Sequence, residues 1–474
     1  MPLCADANCV EARSKRPAKI LIFVFNAFVI LVILLSLLLK IKCKSIEKKQ
    51  YKRTKVKIIR YFCTVKKYMR YFKQTITLLT LLFSFATNSL AMKELTPLEQ
   101  MDSVDISLLT CSPGHEIWSL YGHTAIRFED RLHHVDYSIN YGMFDLRQKN
   151  FVIRFVFGLT DYQMGIEDYD QFLADYGNEG RGVIQQRLNL SRQEKLAIAK
   201  AIQANYDPAV RTYRYNYFYD NCTTRARDII VKHLSGKVKY QVDPSVESSY
   251  RQMIHQWNHD HRWMAFGCDL LLGVGADRKT NYAQQQFIPD TLRKDFAKAI
   301  VVDARGHSHP LVADTEQTLE PDQQPDENGF WTAVSPTVFF TILFVLTLCL
   351  SIWEYRRKKT FWPYDTILLT LTGIAGLVLF AMIFSQHPTV RVNLQILVLN
   401  PLSIIFAYSV SRAAYKGRRH FYWNILFGFI VVFLLCGLFL QNYAEGMWIL
   451  ACCLLVRCIT NRLIYSAQKT GTKK

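Results

Sequence analysis

The sequence lacks the motifs that mark two large classes of enzyme. Among its 474 residues there is no phosphate-binding Gly-x-x-x-x-Gly-Lys-Ser/Thr loop and no Gly-x-Ser-x-Gly elbow. These absences argue against a P-loop nucleotide hydrolase and against a serine enzyme of the α/β-hydrolase type. The glycine-rich stretch from Leu272 to Asp277 has neither a strand before it nor the third glycine of a dinucleotide loop, so a turn is the better interpretation.

A metal signature is also missing. His255, His259 and His261 lie close together, but no cysteine or carboxylate pattern around them completes a recognisable zinc site. We therefore expect neither a metal nor another cofactor.

Basic residues are abundant but unevenly placed. The net charge is +19, and residues 1–74 carry 18 Lys and Arg residues against three acidic ones, which accounts for +15 of it. Basic residues beside apolar runs normally set membrane topology, and no nucleic-acid-binding motif accompanies them. We therefore expect a membrane protein without a nucleic-acid partner.

Two apolar runs precede residue 92. The run from Thr75 to Ala86 follows a charged start at Met69 and precedes the small residues Ser89-Leu-Ala91, which predicts a signal peptide over residues 69–91. Met69 is then the expected start of the protein, and residues 1–68 are an upstream misreading of the gene. The alternative keeps Ile20 to Leu39 as an extra span, but basic segments on both of its sides disfavour this.

Five apolar segments follow residue 335, each near the length that a helix needs to cross a bilayer. The loops after the first and third segments are strongly basic, as is the tail 466–474, whereas the other two loops are nearly uncharged. The positive-inside rule puts the basic loops and the tail in the cytoplasm and the region before Pro336 outside. The predicted spans run from Pro336 to Trp353, Tyr364 to Phe384, Leu394 to Val410, Phe421 to Leu440 and Met447 to Tyr465.

A soluble stretch, residues 92–302, precedes the spans, and a polar linker, 303–335, joins the two. Of the 12 cysteines only Cys111, Cys222 and Cys268 fall in the soluble stretch. An odd number cannot all pair within one chain, so at least one thiol is free or pairs elsewhere. A free thiol in an oxidising compartment calls for a chemical explanation.

Alternating and helical patterns outline the soluble stretch. Strands are predicted from Val104 to Thr110, from His123 onward and from His134 to Tyr141, the last two forming an antiparallel hairpin. A short helix is predicted from Glu116 to Tyr121, and an amphipathic helix with a capping box from Ser191 to Ala204.

Cys222 is the candidate nucleophile. It follows an aromatic run, Tyr213 to Tyr219, and a capping Asp220 or Asn221, so it opens a helix. The positive end of the helix dipole stabilises a thiolate there. The hairpin can bring His123 close as base, with Asp136 fixing its tautomer, while backbone N–H groups or the Tyr219 hydroxyl form an oxyanion hole.

Each assignment has an alternative. A cysteine that opens a helix after an aromatic strand is more often a packing residue than a nucleophile. Cys111 competes for the role of nucleophile because His115 and His123 lie near it in sequence, and His134 competes with Asp136 for the third position.

Several blocks of the chain resemble one known family, the bacterial lipoprotein N-acyltransferases of the Lnb type. The resemblance covers roughly residues 92–300 and the exported-domain-plus-spans architecture. The order of histidine before cysteine also resembles the permuted papain-like acyltransferases related to lecithin:retinol acyltransferase. The matching blocks are Leu109-Thr-Cys-Ser-Pro-Gly, Gly122-His-Thr-Ala-Ile-Arg127, Asn140-Tyr-Gly-Met-Phe-Asp, Tyr217-Phe-Tyr-Asp-Asn-Cys-Thr-Thr-Arg225 and Phe266-Gly-Cys-Asp-Leu-Leu-Leu-Gly with Ala276-Asp-Arg.

The resemblance implies an α+β, papain-like permuted domain in the periplasm, followed by a bundle of five spans in the bacterial inner membrane. It implies Cys222 as nucleophile and His123 as base, and acyl transfer from a phospholipid to the amino group of a diacylglyceryl-cysteine lipoprotein. Within its two most specific blocks, Arg127, Tyr219, Asn221 and Arg225 are the expected substrate-binding residues.

Two other functions compete with acyl transfer. A cysteine amidase or peptidase acting on cell-wall peptides would use the same Cys222 and His123 but would tolerate removal of the spans. A transporter or scaffold is disfavoured because the span interiors lack Asp and Glu, and the one mid-span charge, Arg457, is expected to snorkel to the cytoplasmic surface.

Overall fold

The computed structural model describes residues 66–78 and 95–471, apart from residues 117, 146, 148, 242–246, 259 and 323–333. The chain divides into two units, Met1–Thr96 and Pro97–Lys474. In the first unit the described residues form an exposed helix at 66–78. The predicted extra span from Ile20 to Leu39, most of the predicted signal peptide and residues 472–474 of the tail lie outside the described residues.

The second unit begins with an antiparallel sheet of seven strands in the order β10-β5-β1-β2-β3-β4-β6. A smaller sheet has the order β7-β8-β9. The strands are β1 Val104–Cys111, β2 His123–Asp130, β3 Val135–Met143, β4 Asp161–Asp168, β5 Val183–Leu188, β6 Thr212–Arg214, β7 Lys237–Lys239, β8 Ile300–Val302, β9 Ser308–Pro310 and β10 Val312–Leu319.

Helices cover both faces of the large sheet. The soluble part contains α1 Pro97–Gln100, α2 Phe151–Val156, α3 Tyr169–Asn178, α4 Arg192–Asn205, α5 Cys222–Lys232, α6 Tyr250–Asn258, α7 Arg262–Leu271, α8 Tyr282–Gln285 and α9 Pro289–Lys298. Phe172 of α3 packs with Leu109 and Ala125 on one face, while α5 lies against β2 and β3 on the other. The strands alternate side chains between two covered faces, which explains their nearly continuous burial. The α+β class predicted from the sequence is confirmed.

Five helices follow: α10 Pro336–Arg357, α11 Trp362–Ile383, α12 Pro401–Tyr415, α13 Tyr422–Cys436 and α14 Met447–Gly471. In the described part of the chain four stretches are long and apolar enough to cross a membrane. The third of them consists of α12 and the turn before it, which begins at Leu394. The predicted count of five spans is therefore too high by this measure. The expected fourth span ends early because the chain turns after Cys436, and 15 residues reach only about 22 Å of a core about 30 Å thick.

Arg457 lies inside the helical part and does not snorkel, which corrects the expectation from the sequence. Its side chain is fully buried and forms ion pairs with Glu354 of α10 at 2.5 Å and with Asp365 of α11 at 2.7 Å. Ser351 accepts a further hydrogen bond at 2.9 Å. A guanidinium is tolerated in such a place only when it is paired and hydrogen-bonded. The triad joins α10, α11 and α14, and its acidic members lie at the ends of the predicted spans, Glu354 directly after the first and Asp365 at the start of the second.

Two local expectations were also wrong. The predicted linker 303–335 contains β9 and β10, and β10 extends the large sheet beside β5, where Asp314 pairs with Arg187. The predicted helix from Glu116 to Tyr121 is a series of turns, because Ser119 N–H bonds to Glu116 O and Gly122 N–H to Ser119 O. Both bonds span three residues, so they form turns and not the i to i−4 ladder of an α-helix.

The soluble part is seated on two loops of the helical part, residues 384–393 and 437–446. The N–H groups of Gly273 and Val274 donate to Thr389 O and Val392 O at 2.9 and 2.8 Å. The side-chain amide of Gln441 donates to Leu272 O at 3.0 Å. Since α10 has 22 residues and is about 33 Å long, the basic loop after it lies at the other end. The two nearly uncharged loops thus share one side with the soluble part, as the positive-inside rule predicts.

Candidate active site

Cys222 is the first residue of α5. Asn221 caps the helix, accepting from Thr224 N–H at 2.9 Å, and the Thr224 hydroxyl accepts from Asn221 N–H at 2.9 Å, which completes a capping box. The Asn221 amide also donates to the carbonyls of Tyr217 and Phe287 at 3.0 and 2.8 Å. The helix N-terminus is therefore fixed in place, and its partial positive charge acts on the Cys222 thiol.

His123 begins β2 and lies beside the Cys222 thiol, close enough for each group to shift the pKa of the other. Its Nε2 lies 2.9 Å from Asn140 Oδ1. The amide nitrogen of Asn140 donates to Glu167 Oε1 at 2.6 Å, so Oδ1 is free to accept from Nε2–H. This arrangement selects the neutral tautomer with the proton on Nε2, which leaves the lone pair of Nδ1 available for a general base.

The thiol and the imidazole shift each other's protonation. Burial raises the pKa of Cys222, but the charge and hydrogen bond of His123 outweigh it, and Thr124 N–H adds a further bond. The pKa of the thiol is lowered from 9.0 to about 7. Burial lowers the pKa of His123, yet Cys222 and Asn140 hold it above its usual value. A lowered thiol pKa beside a raised imidazole pKa indicates a thiolate–imidazolium pair near neutral pH.

Asn140, and not Asp136, is the third polar residue. Asp136 stands opposite Glu129 in the ladder, at the far end of the hairpin from His123, and forms an ion pair with Arg127 at 2.7 Å. His134 is as distant, since it lies in the turn between β2 and β3 with a φ of 53°.

The sequence carries a partial signal for Asn140. Asn140 belongs to the polar face predicted for β3, and the hairpin register puts it opposite Ala125, next to His123. Which polar residue of β3 lies nearest His123 depends on the register, in which Val135 pairs with Asp130.

Cys111 does not share the reactivity of Cys222. It stands opposite His123 in the β1–β2 ladder, yet its side chain is buried in the apolar cluster under α3. Burial raises the pKa of its thiol to about 12, although Tyr176 hydrogen-bonds to it. Cys111, Cys222 and Cys268 are all free thiols, and the shift at Cys222 alone among them is downward.

The four residues expected to bind substrate are placed differently from one another. Asn221 adjoins Cys222 but is occupied in capping. Arg225 forms an ion pair with Asp220 at 2.6 Å and lies over the ring of Tyr213. Tyr219 is exposed and meets the ring of Tyr250 edge-on. Arg127, bound to Asp136 and stacked on Tyr169, lies away from the thiol.

Comparison with known families agrees with this architecture. Residues 93–256, which contain Cys222 and His123, match the family model described as the Lnb N-terminal periplasmic domain. Residues 326–469 match the model described as the Lnb transmembrane domain. The chain belongs to the Lnb family. Lnb proteins are membrane enzymes of the lipoprotein N-acylation type with a periplasmic domain. No curated protein and no solved structure matches the chain.

Aromatic rings form one wall of this Lnb site. Gly142 has a φ of 84°, and a Cβ added there would lie 3.2 Å from the Tyr215 ring and 3.8 Å from Cys222 Cβ. Tyr215 is therefore the ring beside the nucleophile, and it stacks on Tyr162 with centroids 4.1 Å apart. The sequence predicted an aromatic run here but did not single out Tyr215.

Proposed function

We propose that the protein transfers a fatty acyl chain from a phospholipid, through a thioester on Cys222, to the N-terminal amino group of a diacylglyceryl-cysteine lipoprotein. The observation that carries the proposal is the Cys222–His123 pair, whose thiol pKa is lowered to about 7. The pair belongs to a domain seated on the outer loops of membrane helices, where both lipid substrates would reside. We also propose the bacterial inner membrane as its location.

In the first half-reaction the Cys222 thiolate attacks the ester carbonyl of the phospholipid. The new C–S bond forms, the C–O bond to the glycerol oxygen breaks, and the imidazolium of His123 gives its proton to that oxygen, so that a lysophospholipid leaves. The backbone N–H groups of the first turn of α5 supply donors for the oxyanion of the tetrahedral intermediate.

In the second half-reaction the amino group of the lipoprotein attacks the thioester. An amide C–N bond forms and the C–S bond breaks, while neutral His123 takes a proton from the nitrogen and the Cys222 thiolate is regenerated. Asn140 keeps Nδ1 of the ring toward the reacting atoms in both halves. Three residues around the start of α5 remain candidates for substrate contact, namely Tyr219, Asn221 and Arg225. Arg127 is expected to stabilise the sheet and not to contact the substrate.

The test is mass spectrometry of lipoprotein N-termini from cells that carry the wild-type protein, Cys222→Ala or Cys111→Ala. We expect the N-linked acyl chain to disappear in Cys222→Ala and to persist in Cys111→Ala, which removes a buried thiol from the neighbouring strand. Unchanged lipoproteins in all three strains would overturn acyl transfer. An altered set of cell-wall peptides in Cys222→Ala would then favour the amidase or peptidase instead.

A further inference from the structure

A row of aromatic rings leads from the nucleophile to the membrane end of α11. Tyr215 beside Cys222 stacks on Tyr162, which meets Phe144 at 5.0 Å between ring centroids. Phe144 meets Phe151 at 5.8 Å, and Phe151 meets Phe155 at 6.4 Å. Beyond the last ring lies His387, in the loop that follows α11, with its ring centroid 6.2 Å from that of Phe155. We call these five rings, from Tyr215 to Phe155, the aromatic row.

The outer part of the row belongs to α2, a short helix with an apolar exposed face. Ile153 is 59% exposed and Phe155 37% exposed, and Leu159 just after the helix is also exposed. Apolar side chains so close together are costly to leave in water. A covering surface of matching chemistry would remove this cost.

The position of α2 identifies that covering surface. Phe157, directly after α2, accepts a hydrogen bond from Gln386 N–H at 2.9 Å, which ties α2 to the point where α11 ends. At that end of α11, Phe380, Ile383 and Phe384 are exposed as lipid-facing residues of a span are. The exposed face of α2 thus continues the lipid-facing surface of the membrane helices.

We propose that α2 lies in the outer leaflet of the membrane, and that its exposed face and the aromatic row admit a phospholipid acyl chain from the bilayer to Cys222. A short helix with one polar and one apolar face lies at the boundary between the lipid head groups and the acyl chains. Planar rings that are stacked or tilted against one another offer an apolar track to a flexible chain without hydrogen-bonding groups. The acyl-chain part of this inference rests on the proposed function, whereas the contact of α2 with lipid does not.

The experiment compares Ile153→Glu and Phe155→Glu with a matched control, Leu132→Glu. Leu132 is 48% exposed and lies in the β2–β3 turn, at the far end of the hairpin from His123. Each full-length variant is placed in vesicles of phosphatidylethanolamine and phosphatidylglycerol, and acylation of Cys222 is followed by intact mass. A second donor, a water-soluble butyryl thioester, reaches Cys222 without the bilayer.

We expect Ile153→Glu and Phe155→Glu to slow acylation by the phospholipid about tenfold or more, because a carboxylate is strongly disfavoured among acyl chains. The rate with the butyryl thioester should stay at the wild-type value, and Leu132→Glu should change neither rate. Equal loss with both donors, or no loss with either, would overturn the proposal.

A second measurement separates this proposal from the proposed function. A benzophenone-bearing analogue of phenylalanine is incorporated in place of Ile153 or Leu132, and the vesicles are irradiated. Lipid adducts from position 153 and not from 132 are expected whether or not Cys222 accepts an acyl chain. A wild-type protein that forms no acyl thioester but gives these adducts would refute the acyl transfer and leave α2 as a lipid contact. Equal adducts at both positions, or none, would refute the lipid contact itself.

Discussion

At the scale of single residues, the imidazole of His123 is held between a thiol and an amide oxygen, and the amide is held in turn by Glu167. Burial raises the pKa of that carboxyl. An asparagine between His123 and Glu167 fixes the ring without placing a full charge beside it. Such an arrangement leaves the lowered pKa of Cys222 dependent on His123 itself.

The pH dependence of Cys222 follows from this pair. A lowered thiol pKa means that the thiolate is present above about pH 7 and is lost as the pH falls through that value. We expect the rate at which iodoacetamide alkylates Cys222 to have its midpoint near pH 7, and His123→Ala to move the midpoint upward, because burial then raises the thiol pKa without the opposing effect of His123. Peptide mass spectrometry across a pH series measures both. A midpoint unchanged by His123→Ala would contradict the pairing.

Asn140 is expected to act as a positioning residue. Asn140→Ala removes the acceptor of His123 Nε2–H, and a hydrogen bond to a charged group contributes about 1.5–3 kcal/mol, so acylation of Cys222 should slow about 10- to 100-fold. Asn140→Asp keeps an acceptor and should retain more activity than Asn140→Ala.

The matched control for Asn140→Ala is Asp136→Ala, which removes a polar side chain from the same face of β3. It should leave the pH midpoint of Cys222 alkylation unchanged, while Asn140→Ala shifts it. Equal effects of the two substitutions would show that Asn140 has no special link to the thiol.

Residue types and spacing were enough to propose Cys222 and His123 as a pair, which the structure places side by side, because a cysteine at a capped helix start and a histidine at a strand start carry their chemistry locally. Asn140 was not predicted because its role depends on the hairpin register, which a single sequence leaves open by one or more residues.

At the scale of elements, the membrane helices are joined by a buried charge triad. Arg457 of α14 is paired with Glu354 of α10 and Asp365 of α11, and all three side chains are fully buried. The loss of one member of such a set leaves uncompensated charge in a medium that solvates it poorly.

We expect Arg457→Leu to destabilise the helical part by about 3–5 kcal/mol. The control is the triple variant Glu354→Leu, Asp365→Leu, Arg457→Leu, which removes every charge and should recover most of the loss. Thermal unfolding of the detergent-solubilised protein, followed by size-exclusion chromatography, compares the three proteins. A single variant as stable as the wild type would show that the triad contributes nothing.

Elements with strong local signals were predicted well. The capping box at Ser191 and Glu194 was read from sequence and begins α4, as predicted. β10 was missed because a polar edge strand has the composition of a linker, and its pairing with β5 is a distant contact. The length of α13 was overestimated because apolar residues continue past Cys436 through a turn.

At the scale of the whole molecule, the soluble part rests on the helical part through backbone hydrogen bonds. Gly273 is central to this seating, since a Cβ there would lie 2.0 Å from Val392 O. Charge alternation predicted which side the domain occupies, but such a contact carries no side-chain pattern and could not be predicted.

Gly273→Ala should therefore weaken the contact between the soluble part and loop 384–393. We expect acylation of Cys222 by phospholipid to fall about tenfold or more, while alkylation by iodoacetamide stays at the wild-type rate because the site itself is intact. Gly267→Ala is the control, since a Cβ at Gly267 meets nothing within 4 Å. Mass spectrometry of Cys222 gives both rates, and equal behaviour of the two alanine variants would contradict the importance of the seating.

The seating on loops 384–393 and 437–446 also changes how the site meets lipid substrates. A nucleophile held at one height above the bilayer encounters anchored molecules by lateral diffusion, in two dimensions. Its turnover then depends on how many substrate molecules share each unit of membrane area and not on their number per volume of solution. Dilution of the bilayer with inert lipid would slow such an enzyme, whereas dilution of the vesicles in buffer would not.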